Sequence, residues 1–477
     1  MCVNLSVIPA LLLSLQISPL VFEHVSVVDV VHHRTLPDQS VVTQGDRILE
    51  VGDSNKVKIP AGATKVDGRG KFLIPGLWDM HTHVDDPELL ELNPKPEEKA
   101  QWLPLFVVNG VTCIREMAGE LKLLQGWRKE IEAGQRFGPR IWCGGPLVDG
   151  PQPMWPASIA VANAEEGRKA VRDLKSQGAD FIKAYSLLSK ESFLAITEEA
   201  KKQGIPVCGH VPSAVTNLEA CEAGLNSIEH LLQLDRELVD KEQVKAERAK
   251  LDPALDRFAR FRAFAEINEK CYSPGEAQKL FARYKQLGTW IDPTLIVAYE
   301  NSTFDAKDPK MLARMPYIPA YVREWWSPDK NVHLRNQNED LRKGQQVVHR
   351  IYKRIVGDLK KAGIPLLVGS DMGGNPHCFA GWGVHDELEQ LVSCGLTPME
   401  ALEAGTINPA RYFHVEGRMG SVEPGKVADL VLLSADPTKS IGNSQKIAGV
   451  VARGQWMDRK ALDSLLAKQF KAVEKRL

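Results

Sequence analysis

The chain has 477 residues, of which 43% are hydrophobic and 25% charged, with a formal net charge of −1. That length exceeds one average domain yet suits a single barrel with an appendage. The near-zero charge gives no electrostatic reason to expect nucleic acid or an anionic membrane surface as partner.

The eight cysteines (Cys2, Cys113, Cys143, Cys208, Cys221, Cys271, Cys378 and Cys394) are scattered without a CxxC pair. The scatter argues against a zinc ribbon or a disulfide framework. Several lie in apolar runs, where cysteine behaves as a small buried side chain.

Residues 7–18, VIPALLLSLQIS, have the length and apolar character of a signal-peptide core. They are too short to span a bilayer, and no stable membrane span is expected. No Lys or Arg precedes them and no A-x-A site follows, so residues 1–19 read as a degenerate or truncated export signal. That reading favours a periplasmic or secreted protein over a cytoplasmic one. From Leu20 the chain alternates roughly between apolar and polar residues, broken by the turns PDQ and QGD. Residues 20–70 are therefore expected to form one part of a small β-sandwich.

Across 71–415, short apolar runs alternate with helical patterns, such as NAEEGRKAVRDLKSQ at 163–177. Eight candidate strands fall at 72–80, 111–117, 139–144, 180–185, 206–209, 227–230, 289–292 and 364–369. This alternation marks β-α units on a parallel sheet. It predicts an α/β fold: a (β/α)8 TIM barrel, with its active site at the C-terminal strand ends. A charged insertion at about 235–350, helical in pattern, reads as a cap on the barrel mouth. Residues 416–477 supply the second half of the composite sandwich, in GSVEPGKVADLVLLSADP and IAGVVARGQWMD, and a C-terminal helix.

Ligand-type residues stand at the ends of these strands. His81 and His83 lie two apart at the end of the first, so both side chains point to one side. Lys183 ends the fourth, His210 the fifth and His230 the sixth, and Asp371 follows the eighth. A single histidine after an apolar strand is more often a hydrogen-bonded structural residue, and a single Lys or Asp there is usually solvated or caps a helix. Four of the chain's twelve histidines at such positions, joined by a lysine and an aspartate, favour a metal site.

The set PGLWDMHTH, DFIKAY, VCGH, SIEH and VGSD resembles the metal-dependent amidohydrolase superfamily. GTINPAR (405–411) and GSVEPGKVADLVLL (420–433) are similar to its C-terminal signature. Within it the chain looks most like the dipeptidase and prolidase-like branch and the imidazolonepropionase-related proteins. The resemblance implies His81, His83 and Asp371 on one metal ion and His210 and His230 on another. Lys183, carboxylated by carbon dioxide, would bridge the two.

The chemistry is consistent with those roles. Neutral imidazoles and a carboxylate suit zinc with an open water position, and manganese or cobalt would also fit. Burial and neighbouring cations favour the unprotonated amine that carbon dioxide requires. A bridging water, acidified by both cations, would attack a carbonyl carbon. Asp371 would act as general base and then acid, passing a proton to the leaving amine.

The resemblance therefore implies hydrolysis of an amide bond in a small molecule, a dipeptide or an N-acyl amino acid. Lactones, carbamates and phosphotriesters are alternative substrates for the same two-metal chemistry. A deaminase of this superfamily carries a His-x-x-Glu after the fifth strand, whereas this chain reads HVPS and ends on Ser213. A non-catalytic scaffold relative would be expected to lose ligands that are all present here. Homo-oligomers are compatible with this reading.

Four residues are candidates for substrate contact. Tyr185 lies two residues after Lys183, where its hydroxyl could polarise a carbonyl. Arg115 could pair with a substrate carboxylate or sit in an internal ion pair. His377 and His385 lie in the glycine-rich stretch DMGGNPHCFAGWGVHDELE, where His385 could instead cap a helix. Trp142, Trp155, Trp290 and Trp382 could line an aromatic pocket or belong to the core.

Overall fold

The computed structural model describes residues 18–305 and 307–475. Residues 1–17, which include Cys2 and nearly all of the export-signal-like segment, lie outside the described residues. The described chain opens with β1 (Leu20–Asp29), β2 (Arg34–Gln44), β3 (Arg47–Asp53), β4 (Thr64–Asp67) and β5 (Phe72–Pro75). β1 and β2 pair antiparallel. Asp29 fixes the turn between them by accepting the backbone N–H groups of Val31 and His32.

The staves of a barrel follow: β6 (Leu77–Thr82), β7 (Val111–Glu116) and β8 (Arg140–Cys143). Two short strands, β9 (Val148–Asp149) and β10 (Ile159–Ala160), extend the sheet beside the next stave, β11 (Ile182–Ala184). β12 (Val207–Gly209), β13 (Leu225–Glu229) and β14 (Trp290–Asp292) continue in parallel. Every residue of β6 and β7 is buried, as expected of parallel strands covered on both faces. Between β8 and β11 the join is made by Asp180, whose N–H donates to the Cys143 carbonyl at 2.9 Å and whose carboxylate accepts the Cys143 N–H at 2.8 Å.

The eighth stave is the segment 364–372. Leu367 N–H donates to the Ile291 carbonyl of β14, and Met80 N–H of β6 donates to the Val368 carbonyl, both at 2.8 Å. Asp371 N–H reaches the His81 carbonyl at 2.8 Å, so this last segment lies between the seventh stave and the first. The fold is the expected (β/α)8 barrel with an additional β domain.

The additional domain is one sheet. β15 (Leu430–Leu433), β16 (Ile447–Ala452) and β17 (Gln455–Asp458) join β5, giving the order β17-β16-β15-β5-β1-β2-β3 with β4 beside β1. Phe22 of β1 and Trp456 of β17, with three strands between them in that order, meet edge to face with ring centroids 5.2 Å apart. The sheet therefore curls over a core that includes Phe22, Val41, Leu73 and Leu432.

One expected strand, 72–80, is in fact two. β5 belongs to the outer sheet and β6 to the barrel. Gly76 makes the handover: a Cβ there would lie 2.1 Å from Thr112 Oγ1, so only glycine fits. β14 runs through the expected helical insertion, so its helices fall into two groups. The helix Arg257–Lys270 from the first group packs on the helix Glu339–Ala362 from the second. Asn338 caps the latter by accepting from Leu341 N–H, and Gly363 (φ 71°) ends it.

Candidate metal centre

His81 sits at the end of β6 with no exposure. Its Nδ1 lies 2.9 Å from Glu229 Oε2, which fixes the ring and turns Nε2 toward the barrel mouth. Glu229, the last residue of β13, is itself held by the Arg115 guanidinium at 2.9 and 3.0 Å. Arg115 also donates to Ser227 Oγ at 3.1 Å, to Asp292 Oδ2 at 3.2 Å and to the Met80 carbonyl. Four staves thus share one buried charge network directly beneath the site.

Above it, six side chains converge. His83 Nε2 is 3.1 Å and His81 Nε2 3.5 Å from Asp371 Oδ1, and Lys183 Nζ is 3.4 Å from His81 Nε2. His230 Nδ1 lies 2.7 Å from Thr294 Oγ1 and 3.7 Å from Asp371 Oδ2. His210 Nδ1 bonds Ser186 Oγ at 2.8 Å. The His81 and His230 rings are 4.5 Å apart and the His210 and His230 rings 4.8 Å. Asp371 and His230 hold left-handed backbone angles, φ 52° and 67°, a cost of roughly 1–3 kcal/mol each that such sites commonly carry. Room for the Lys183 stem comes from Gly209 (φ 132°), where a Cβ would lie 2.9 Å from Lys183 Cδ.

Burial, with the charges of Lys183 and neighbouring histidines, holds His81 and His210 well below the usual histidine range. Burial brings His230 down to about 4. Burial also lowers Lys183. For His83 burial acts in the same direction, but the bond to Asp371 and the Asp86 charge outweigh it and lift it to about 9. Burial opposes ionisation of Asp371, yet His230, His83 and Lys183 hold its carboxyl at about 2. Three neutral imidazoles, a fourth (His83) that must give up its proton on binding, a carboxylate and an amine of lowered basicity form a donor set that fits divalent cations. The buried Nδ1 of His83 has no hydrogen-bond partner among the described residues. His81, His230 and Asp371 each offer a ligand atom within 4.8 Å of one another.

These residues form the floor of a cavity of about 420 Å³. Its outer wall is apolar, with Trp155, Phe261, Val297, Val348 and Tyr352, and Asp86 and Glu88 stand on another side. Tyr185 lines the cavity, its ring stacked on His210 at 4.1 Å.

Three candidates for substrate contact sit elsewhere. Arg115 takes its other expected role, an internal ion pair: it is fully buried in the network under His81, where the acids at the ends of β13 and β14 claim its guanidinium. His377 stacks on Phe304 with centroids 4.8 Å apart, and its Nδ1 is 3.7 Å from Glu300. His385 is inside the helix Trp382–Ser393, bonded to Ser444 Oγ at 2.8 Å and the Asn109 carbonyl at 2.9 Å, and does not cap it. Of the four tryptophans, Trp155 lines the cavity; Trp142 stacks on Phe413, and Trp290 and Trp382 meet Tyr412 and Tyr317. Sequence reasoning missed Glu229 and Asp292, although charged residues inside the apolar runs SIEH and TWID were a signal.

The amidohydrolase family model matches residues 72–457, which includes the barrel and the strands β15 and β16. The chain belongs to the amidohydrolase family. The solved structure of the bottromycin amidohydrolase is similar to it, with 25% identity and a TM-score of 0.73 over 96% of this chain and 91% of that one. A Xaa-Pro dipeptidase with methionine bound in its active site shares the fold, with a TM-score of 0.65 at 19% identity over 92% of this chain and 100% of that one. In sequence, the ochratoxinase of Aspergillus niger is 26% identical over 228 residues, 37% of this chain and 46% of that protein. Matches to adenine deaminases are confined to short stretches, for example 10% and 26% of this chain. The chain thus spans less than half the length of these curated relatives.

Proposed function

We propose that this amidohydrolase hydrolyses amide bonds, with dipeptides or N-acyl amino acids as substrates. Two divalent cations, zinc by default, would be held by His81, His83, Asp371, His210 and His230. Lys183 would be the carbamate bridge between them. The observation that carries this reading is the convergence of all six side chains on one cavity floor. The structural likeness to a dipeptidase and the sequence likeness to ochratoxinase support it. Ser213, where a deaminase of this superfamily would carry its glutamate, is exposed and does not line the cavity.

When bound, the cations would polarise the scissile carbonyl and acidify water. The chain's own residues supply the rest. Asp371 is ionised at neutral pH, and Asn375 Nδ2 holds its Oδ2 at 2.8 Å. It takes the proton of the attacking water and delivers it to the leaving nitrogen. Tyr185, still protonated because burial raises its phenol, faces the cavity and donates to the carbonyl oxygen as charge develops there.

The test is metal analysis of the purified protein, followed by assays on leucylproline, N-acetyl-leucine, a lactone and a phosphotriester. Two metal ions per chain and turnover of the amides are expected. Lys183→Ala should abolish that turnover and lower metal content. Full rate in the Lys183→Ala protein would disprove the carbamate, and turnover of the lactone or phosphotriester alone would replace the amide assignment.

A further inference from the structure

The loop that carries Trp155 leads directly into the chemistry of the cavity. Trp155 Nε1 lies 2.8 Å from Tyr185 Oη. An indole N–H can only donate, so the phenol oxygen accepts, and its own O–H is left to donate elsewhere. Among the described residues no acceptor takes that O–H, and both side chains line the cavity above His210. The pair is held from behind by one buried carboxylate. Asp149, with no exposure, accepts Met154 N–H at 3.0 Å from the Trp155 loop and Leu187 N–H at 2.7 Å from the turn after Tyr185. Where the two segments touch, Gly150 leaves no space for a side chain: a Cβ would lie 2.2 Å from the Leu187 carbonyl oxygen.

We propose that Trp155 is a positioning residue: its N–H fixes the Tyr185 hydroxyl as a hydrogen-bond donor aimed at the oxygen of the scissile carbonyl. The inference rests on the amide-hydrolase reading above. A hydroxyl with both lone pairs free can swing toward water or another acceptor. One already engaged by a donor has fewer orientations, and less reorganisation is needed when the oxyanion forms.

The experiment uses the zinc-loaded full chain and whichever of leucylproline and N-acetyl-leucine it turns over. Removing one oxyanion donor commonly costs about 10²–10³ in kcat, so Tyr185→Phe should fall by about 100-fold. Trp155→Phe, which leaves the hydroxyl present but untethered, should lose on the order of 10-fold in kcat, with KM and zinc content close to wild type. In the Tyr185→Phe background the Trp155 change should cost nothing further, because it acts only through that hydroxyl. Trp155→His, whose imidazole can still donate, should keep more of kcat than Trp155→Phe. The proposal is overturned by wild-type kcat in Trp155→Phe, by equal losses in the His and Phe variants, or by a Trp155 effect undiminished without the Tyr185 hydroxyl. No turnover of either amide by the wild-type protein would instead overturn the amide reading on which this one rests.

Discussion

His83 and Asp371 are the clearest case of one residue's chemistry being set by another. Without a metal ion, Asp371 holds the His83 imidazole protonated up to about 9, while His81, His210 and His230 are neutral near pH 7. A ligand histidine must be neutral, so metal binding has to displace the His83 proton. Apparent metal affinity should therefore rise with pH from 6.5 toward 9, by up to about tenfold per unit for that one proton, and level off above. Competition with a chelator across that range measures it; a flat profile would mean His83 is not a ligand. The sequence presented His81, His83, Lys183, His210, His230 and Asp371, because each ends an apolar run that a reader can place. It did not present Glu229 as the partner of His81. That pairing joins residues 148 positions apart, and nothing local to either reveals it.

At the level of elements, the site depends on how closely adjacent staves approach. Gly369, in the last stave, faces both His81 and Asp292: a Cβ there would lie 2.6 Å from His81 Cβ and 2.6 and 2.7 Å from the Asp292 carboxylate oxygens. Those atoms belong to the buried network and cannot swing aside. Gly369→Ala should cost about 2 kcal/mol of stability from overpacking, read by denaturant unfolding, and should lower metal content. Normal values for both would show that the staves can spread. The same scale explains the misplaced candidates. His377 and His385 follow the eighth stave in sequence, but Gly381 (φ 77°) turns the chain into a helix that carries His385 toward Ser444 and Asn109. Which side of that helix would meet the cavity was a matter of packing.

On the scale of the whole molecule, the outer sheet and the barrel share an apolar core, with Ile74, Val431 and Val450 packed in one cluster with Trp78 and Val107, and a few buried polar contacts join them as well. Asp429 accepts Arg140 Nε of β8 at 2.7 Å and Arg453 N–H at 2.6 Å, while its carbonyl accepts Gly76 N–H at 2.8 Å. Asp429→Ala would leave the partly buried Arg140 without its carboxylate. A loss of about 1–3 kcal/mol is expected, seen in calorimetry as one transition at lower temperature. Two separate transitions would show instead that the barrel and the outer sheet unfold independently.

The sequence by itself determined the fold class, the order of the eight staves and the six polar residues at their ends. All of these are written in local signals: apolar runs about as long as a strand, helical spacing between them, and charged or imidazole side chains where each run stops. Only the tertiary structure decided that 72–80 divides between two sheets, that Arg115 serves the floor of the site, and that Trp155 meets Tyr185. Each of these depends on contacts between residues distant in the chain. For Arg115, burial made a partner obligatory, since a charge withdrawn from water is stable only where another part of the chain satisfies it.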